Sequence, residues 1–358
     1  MKKIFFVLCC LLLYTPLINA EENVFLVTKT GCELTEEQYY NLLGLGFDDE
    51  EINKMSSEEI DYNKNIGASL ISEDTVYSKI IYTYSNNGLL SKSTRAILSD
   101  NVIDDSEFEN LKLVKVEEYE ISEEEYNNLE EISQYSTNAE HIVETTGKKL
   151  KTTISYISSS NRYRFKNTLT WKKMPKNRYN ELFGIIYDEP NANTVVGSQK
   201  AYYYYTVENN CYYTCEDFSI NYSNTKYWNT KNKSYYMSFP LKADESITYK
   251  WDAPSLGNPG GKCPCQDPPA IGNSVTRSNE VIAMSATMYY DILKSTSTKV
   301  KALTVAGEYQ HAYKKLSLNT SLSFDIKTGG LSISIDPEYK TYYDGMKNTN
   351  VQLTGINW

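Results

Sequence analysis

Charge along this chain is sorted into blocks, and that sorting limits how it can fold. Residues 21–144 hold 8 Lys+Arg against 29 Asp+Glu, a net of −21. Residues 145–180 hold 10 Lys+Arg and no Asp or Glu. Residues 181–358 are close to balance, with 16 against 17. Opposite blocks in one chain attract, so residues 21–140 are expected to pack on or near Arg162–Arg178. The net charge of −10 argues against general nucleic-acid binding, which depends on neutralising phosphates.

From about His141 the pattern is that of strands. Leu150 to Ile157, Tyr163 to Trp171, Leu182 to Tyr187 and Tyr202 to Val207 read as strands. So do Ser246 to Trp251, Val281 to Ile292, Lys299 to Tyr309, Leu316 to Ile326 and Leu331 to Ile335. Alternation is clearest near the end, where Leu316, Leu318, Thr320, Leu322, Phe324 and Ile326 share a face and Gly329-Gly330 makes a turn. Many short antiparallel strands without long helices between them predict a mainly β fold: an antiparallel β-sandwich, jelly-roll-like, over 141–358. The Pro- and Gly-rich stretch Ala253 to Asn273 is a loop in this reading.

The acidic stretch 21–140 reads as a small α+β region. Thr35 and Gln38 have capping-box spacing, Asp48 can cap a second helix, and Ser57 can start a third. Glu120 to Leu129 repeats the grammar of Glu33 to Leu42, a hydroxyl cap ahead of carboxylates. Thr75 to Ile81 is extended, with a turn at Asn86-Asn87-Gly88. Ahead of it, Met1 to Ala20 has a basic start, an apolar run from Ile4 to Leu13 and a small residue at a cleavage point. The expectation is a signal peptide over 1–20 and a secreted or cell-surface mature chain without a transmembrane helix.

Three groups of residues bear on chemistry. Arg162, Arg164, Lys166, Trp171, Lys172, Lys173, Lys176 and Arg178 crowd one short window. Residues 162, 164 and 166 share a strand face. That face can bind wall polymers, glycans or anionic lipid, or it can pair with the acidic region of the same chain, which is the simpler reading. Cys211, Cys215, Cys263 and Cys265 are candidates for disulfides between the two close pairs, or for a thiolate metal site. The tyrosines at Tyr202 to Tyr205 can stack sugars, but alternation along a strand favours packing. Catalytic motifs are thin: there are 2 histidines and no His-Glu-x-x-His or Gly-x-Ser-x-Gly. Asp188-Glu189 with Asn191 and Asn193 reads as turn chemistry before it reads as a calcium loop. The expectation is therefore a non-enzymatic protein without a cofactor.

The string from Leu34 through Gln38, Tyr39, Leu42, Phe47, Asp48 and Ile52 to Met55 is similar to a helical segment near the N-termini of uncharacterised exported proteins of low-GC Gram-positive bacteria. The resemblance covers about thirty residues. It implies an extracellular compartment and assigns no residue a role. The functional expectation is a secreted envelope or extracellular binding protein. The alternative is a pore-forming β-protein, since the Ser/Thr-rich alternation from Ser295 to Ile335 resembles the hairpins that line a barrel wall. A pore-former needs a detachable hairpin, whereas a binder keeps those strands central.

Overall fold

The computed structural model describes residues 23–85, 112–129, 141–172, 174–175, 178, 180–189, 191–209, 218–225, 234–240, 244–250, 274–312, 322–327, 330–335, 343–345, 347–356 and 358. The expected signal segment, the expected Asn86-Asn87-Gly88 turn, the expected Ala253 to Asn273 loop, Lys173, Lys176 and the candidate cysteines Cys211, Cys215, Cys263 and Cys265 lie outside them. Cys32 is described and is a free, half-buried thiol.

Each helix starts where a short polar side chain satisfies free N–H groups. In α1 (Glu36–Gly44), Thr35 Oγ1 accepts from the Gln38 N–H at 3.3 Å. Gln38 returns the bond by accepting from the Thr35 N–H at 3.0 Å. In α2 (Asp49–Lys54), Asp48 and Glu51 make the same reciprocal pair, at 2.9 and 2.8 Å. Ser56 caps α3 (Ser57–Asn63) and Ser122 caps α4 (Glu123–Asn128). Two short strands, β1 (Leu26–Val27) and β2 (Glu33–Leu34), pair with each other ahead of α1.

The rest is mainly β and antiparallel. The large sheet is built on β3 (Ser69–Ser85), β4 (Lys112–Ile121), β5 (His141–Ile157) and β6 (Arg162–Trp171). It is completed by β8 (Ala192–Thr194), β9 (Lys200–Asn209), β10 (Phe218–Thr225), β12 (Asp244–Lys250) and the long β13 (Ser274–Lys294). Its main path runs β10-β9-β13-β6-β5-β3-β4. The second sheet holds β7 (Asn180–Asp188), β11 (Ser234–Pro240), β14 (Ala302–Ala312), β17 (Tyr343–Gly345) and β18 (Thr349–Thr354).

The two sheets pack face to face. Ile154, Phe165, Leu169, Trp171, Met288 and Tyr290 from the large sheet meet Phe183, Ile185, Leu303, Val305 and Val351 from the second, all buried. Each such side chain contributes about 1.5–3 kcal/mol. One polar knot pins the register inside this core. Thr152 Oγ1 donates to Asn167 Oδ1 at 2.9 Å and lies 2.5 Å from Thr349 Oγ1. Asn167 in turn donates to the Gly184 carbonyl at 2.9 Å. Gly307 lets the sheets come this close: a Cβ there would stand 2.3 Å from Thr152 Oγ1.

The acidic region is continuous with the sandwich. β3 and β4 belong to the large sheet, and β3 pairs with β5 from Ser69↔Tyr156 to Ser85↔His141. The change of charge at 144/145 falls within β5, inside that one sheet. Among the described residues of the acidic region, α4 and the segment from β1 to α3 stand off it, the latter as a cover.

Candidate functional site

Period two gives the large sheet two unlike faces. On β5 and β6 one face carries Leu150, Ile154, Phe165 and Leu169, which enter the core between the sheets. The other carries Lys149, Lys151, Thr153, Arg164, Lys166 and Thr168, and it lies under α1–α3. Pairing aligns these residues across the strands, with Thr153↔Lys166 and Lys151↔Thr168.

Glu51 is the centre of the layer between helices and sheet. Its Oε2 accepts from Lys151 Nζ at 2.8 Å as well as from the Asp48 N–H. Its Oε1 accepts from Lys166 Nζ and from Thr168 Oγ1, both at 2.5 Å. Asp48 pairs with Lys151 at 2.7 Å and Lys149 at 3.4 Å. A few ångströms along β6, Arg164 binds Asp291 of β13 at 2.6 Å and Asn63 of α3 at 2.5 Å. Asn63 donates to Tyr289 Oη at 2.8 Å, and Tyr204 donates to Glu59. The Arg164 guanidinium also lies 4.9 Å over the Tyr289 ring.

Burial and partners set the protonation of these groups. Burial pushes the Asp48 and Glu51 carboxyls up, but their lysine partners more than offset it and hold both below the usual range. Burial drives Glu59 well above that range. Burial also pulls Lys166 down to about 8, although Glu51 works against the shift. Lys151 moves the other way, raised by Glu51 and Asp48 in spite of its burial. Two ammonium groups thus share one carboxylate, and Lys151 is the better served, with Asp48 as a second anion.

An apolar row completes the cover. Leu42, Leu45, Phe47, Ile52, Met55 and Ile60 pack on Ile157, Tyr202, Tyr204 and Tyr289 of the sheet. The tyrosine run divides as alternation requires, with Tyr203 and Tyr205 going to the core between the sheets.

Most of the described residues of the basic window from Arg162 to Arg178 are therefore taken up by structural tasks. Arg164, Lys166 and Trp171 are buried, at 1%, 0% and 1% exposure, which takes them away from any external ligand. Lys172 donates to the last carbonyls of α4, Tyr126 O at 2.5 Å and Asn127 O at 2.6 Å, where the helix dipole favours a cation. Arg178 donates to the carbonyls of Pro175 and Val281. Arg162 is half-buried at the start of β6. Lysines 149 and 151, Glu51 and Asp291 belong to the charged layer, and reading the window alone missed them. The signal that finds them is the Asp48-x-x-Glu51 box together with lysines at period two on the neighbouring strand.

A second buried polar group sits where β14 ends. Glu181 accepts from Tyr309 and stands 2.6 Å from His311 Nδ1, and Trp171 Nε1 donates to Tyr309 Oη at 3.0 Å. Lys148 Nζ lies 5.3 Å from the Trp171 ring centre and 5.1 Å from that of Tyr309.

Just beyond this group β14 ends at Ala312, which pairs with Tyr343 at the start of β17. Between them in the chain lie β15 (Leu322–Lys327) and β16 (Gly330–Ile335). Among the described residues they pair only with each other, as a separate two-stranded sheet beside β14 and β7. Leu322↔Ile335, Phe324↔Ile333 and Ile326↔Leu331 alternate in register with Ser323↔Ser334 and Asp325↔Ser332.

Glu189 accepts from the backbone and side chain of Asn191, at 2.7 and 3.0 Å, which is turn chemistry. Among the described residues no helix is long and apolar enough to cross a membrane. No protein family and no curated protein matches the chain. Among solved structures, Clostridium perfringens delta-toxin aligns at 8% identity and a TM-score of 0.16, over 60% of this chain and 84% of that one. A likeness of that size carries no argument about fold or function.

Proposed function

We propose that this is an exported, non-enzymatic β-protein that perforates membranes by inserting the hairpin between Ala312 and Tyr343. The observation that carries the reading is the separateness of β15 and β16, which are paired to neither large sheet among the described residues. Their register places apolar residues opposite apolar ones and polar opposite polar. That arrangement suits a barrel wall, with lipid on one side and water on the other. Leu316 to Ile326 alternates over 11 residues, and about 9–11 tilted residues span a bilayer. Export, and kinship with the exported proteins of low-GC Gram-positive bacteria, rest on Met1 to Ala20 and on the segment from Leu34 to Met55.

The other reading, a secreted binder of glycans or wall polymers through Arg162–Arg178, is disfavoured by the burial of Arg164, Lys166 and Trp171. Release of a trapped dye from liposomes tests the choice. The expected result is leakage that falls at least ten-fold in Phe324→Arg, because a cation on the lipid face costs about 2–4 kcal/mol. Absence of leakage across lipid types, with the protein pelleting on cell walls, would establish the binder instead.

A further inference from the structure

Several rings of this chain carry one of its own cations over a face. Lys166 Nζ lies 4.5 Å from the Phe47 ring centre, Lys200 Nζ 4.7 Å from that of Tyr62, and Lys172 Nζ 5.2 Å from that of Tyr126. One group of rings departs from this habit. Phe25, just ahead of β1, forms a triad with Tyr39 and Tyr40 of α1. Ring centroids are 5.2 Å apart for Phe25–Tyr39, 5.4 Å for Tyr39–Tyr40 and 6.3 Å for Phe25–Tyr40. Phe25 is 50% exposed and Tyr40 is 55% exposed. Among the described residues no cation of the chain stands over any of the three.

The surroundings of the triad are negative. Tyr39 donates its hydroxyl to Asp49. Glu36 and Glu37 are exposed in the first turn of α1, at the helical spacing that makes them neighbours of Tyr40. Neutral polar groups on the same helix are taken up within the protein. Gln38 accepts from the Thr35 N–H and donates to Asn65, and Asn41 donates to the Lys64 carbonyl at 3.0 Å. A sugar calls for free amides and hydroxyls, which are scarce here. Ring faces among carboxylates call for a cation.

The kind of cation follows from exposure. A primary ammonium is strongly hydrated, and its ion pairs at an exposed site are worth little. A quaternary ammonium has no N–H to satisfy and gains from ring faces directly. With centroids this close, it can stand within about 6 Å of all three. Val27, two residues on from Phe25 and therefore on its side of β1, is also exposed. A small soluble ion makes no use of that apolar rim, whereas a lipid surface does, and tyrosine rings sit well at such an interface. The net charge of −21 over residues 21–144 repels anionic headgroups. That leaves a zwitterionic lipid with its cation outermost.

We infer that the Phe25–Tyr39–Tyr40 triad is a docking site for the quaternary ammonium of choline phospholipid at a membrane surface. The inference rests on the membrane reading above for the source of the headgroup, and it names the lipid class and the residues that meet it. It requires docking and does not require insertion.

The test is co-flotation of the full chain with three kinds of vesicle: phosphatidylcholine, phosphatidylcholine mostly replaced by phosphatidylethanolamine, and phosphatidylserine. Phosphatidylethanolamine differs from phosphatidylcholine in carrying a primary ammonium. Binding is expected to be strongest on phosphatidylcholine and at least about three-fold weaker on the other two. Tyr40→Leu and Phe25→Leu keep an apolar side chain and lose the ring face. Each should weaken binding to phosphatidylcholine about two- to five-fold, the equivalent of about 0.5–1 kcal/mol, while Tyr40→Phe should bind as the native chain does.

No flotation on phosphatidylcholine, equal flotation on all three vesicles, or leucine variants that bind as the native chain does would overturn the inference. So would competition by a soluble oligosaccharide and not by phosphocholine. Free phosphocholine bound as tightly as the vesicle surface would overturn the lipid as its source. Phosphatidylcholine binding without dye leakage would keep this inference and remove perforation. Leakage unchanged in both leucine variants and in vesicles without choline lipid would keep perforation and remove this inference.

Discussion

Along β6 the two faces of one strand meet opposite surroundings. Phe165, Leu169 and Trp171 enter the core between the sheets, while Arg164, Lys166 and Thr168 enter the layer beneath the helices. Both layers are dry, since Phe165 and Lys166 are each 0% exposed. They are held by different physics. Between the sheets, stability grows with apolar area and close packing, which tolerate no alternative partner. Under the helices, each buried charge must be matched, because an unmatched one costs several kcal/mol. The matching groups arrive on a segment that shares no backbone ladder with the sheet. Burial alone therefore does not make a layer permanent. The core between the sheets is expected to come apart only with the whole fold, and the charged layer to open by itself.

The largest test of this contrast is Phe165→Ala, which should cost about 3–5 kcal/mol and lower the denaturant midpoint of the entire protein. Glu51→Ala strands Lys166, leaves Lys151 with Asp48 alone, and should cost about 3 kcal/mol. Its loss should appear as faster hydrogen exchange in α1–α3, with β13 and β14 unaffected. If Glu51→Ala instead moves every amide together, the two layers are one cooperative unit. Gly307→Ala presses a methyl group onto Thr152 and Asn167 and should cost about 2 kcal/mol by global unfolding, since overpacking strains the core.

The smallest test concerns Glu59. A carboxyl whose folded pKa is raised supports the fold fully below its unfolded value, near 4.3, and that support is lost as pH rises through the folded value. Glu59 therefore weakens the cover at neutral pH. Asp48 and Glu51, held below their usual range, act in the opposite sense, and their support is lost only in more acidic solution. Glu59→Gln should slow exchange in α3 at about pH 7 and change little at about pH 4. A variant less stable at both would mean that the Tyr204 bond outweighs burial of the carboxyl.

Local grammar was legible in the sequence. Thr35, Asp48 and Ser122 cap the helices where their spacing places them, and the third cap falls on Ser56, one residue before the expected Ser57. Alternation located nine strands and divided Tyr202 to Tyr205 between two environments. The short strands β8 and β17 carry too few residues to show a period, and β18 pairs with β14 through a register set from outside its own sequence. The charged layer was legible only in outline. Blocks of opposite sign predict attraction, but pairing Glu51 with Lys166 across 115 positions depends on the β5–β6 register and on the angle at which α2 lands. Thr153 and Lys166 look like solvent-facing strand residues, and they are buried because a separate segment folds down upon them.

The run Tyr202-Tyr203-Tyr204-Tyr205 has a consequence for how errors would propagate. Four identical residues offer no chemical cue to their own alignment, so β9 could slide by one step without changing its rings. What forbids the slip is the neighbourhood: Lys200, whose ammonium lies over the Tyr62 ring, would be turned to the opposite face of the sheet. The run behaves as a featureless rod held by an end stop, and deleting a single tyrosine should do more harm than replacing any one of them with phenylalanine.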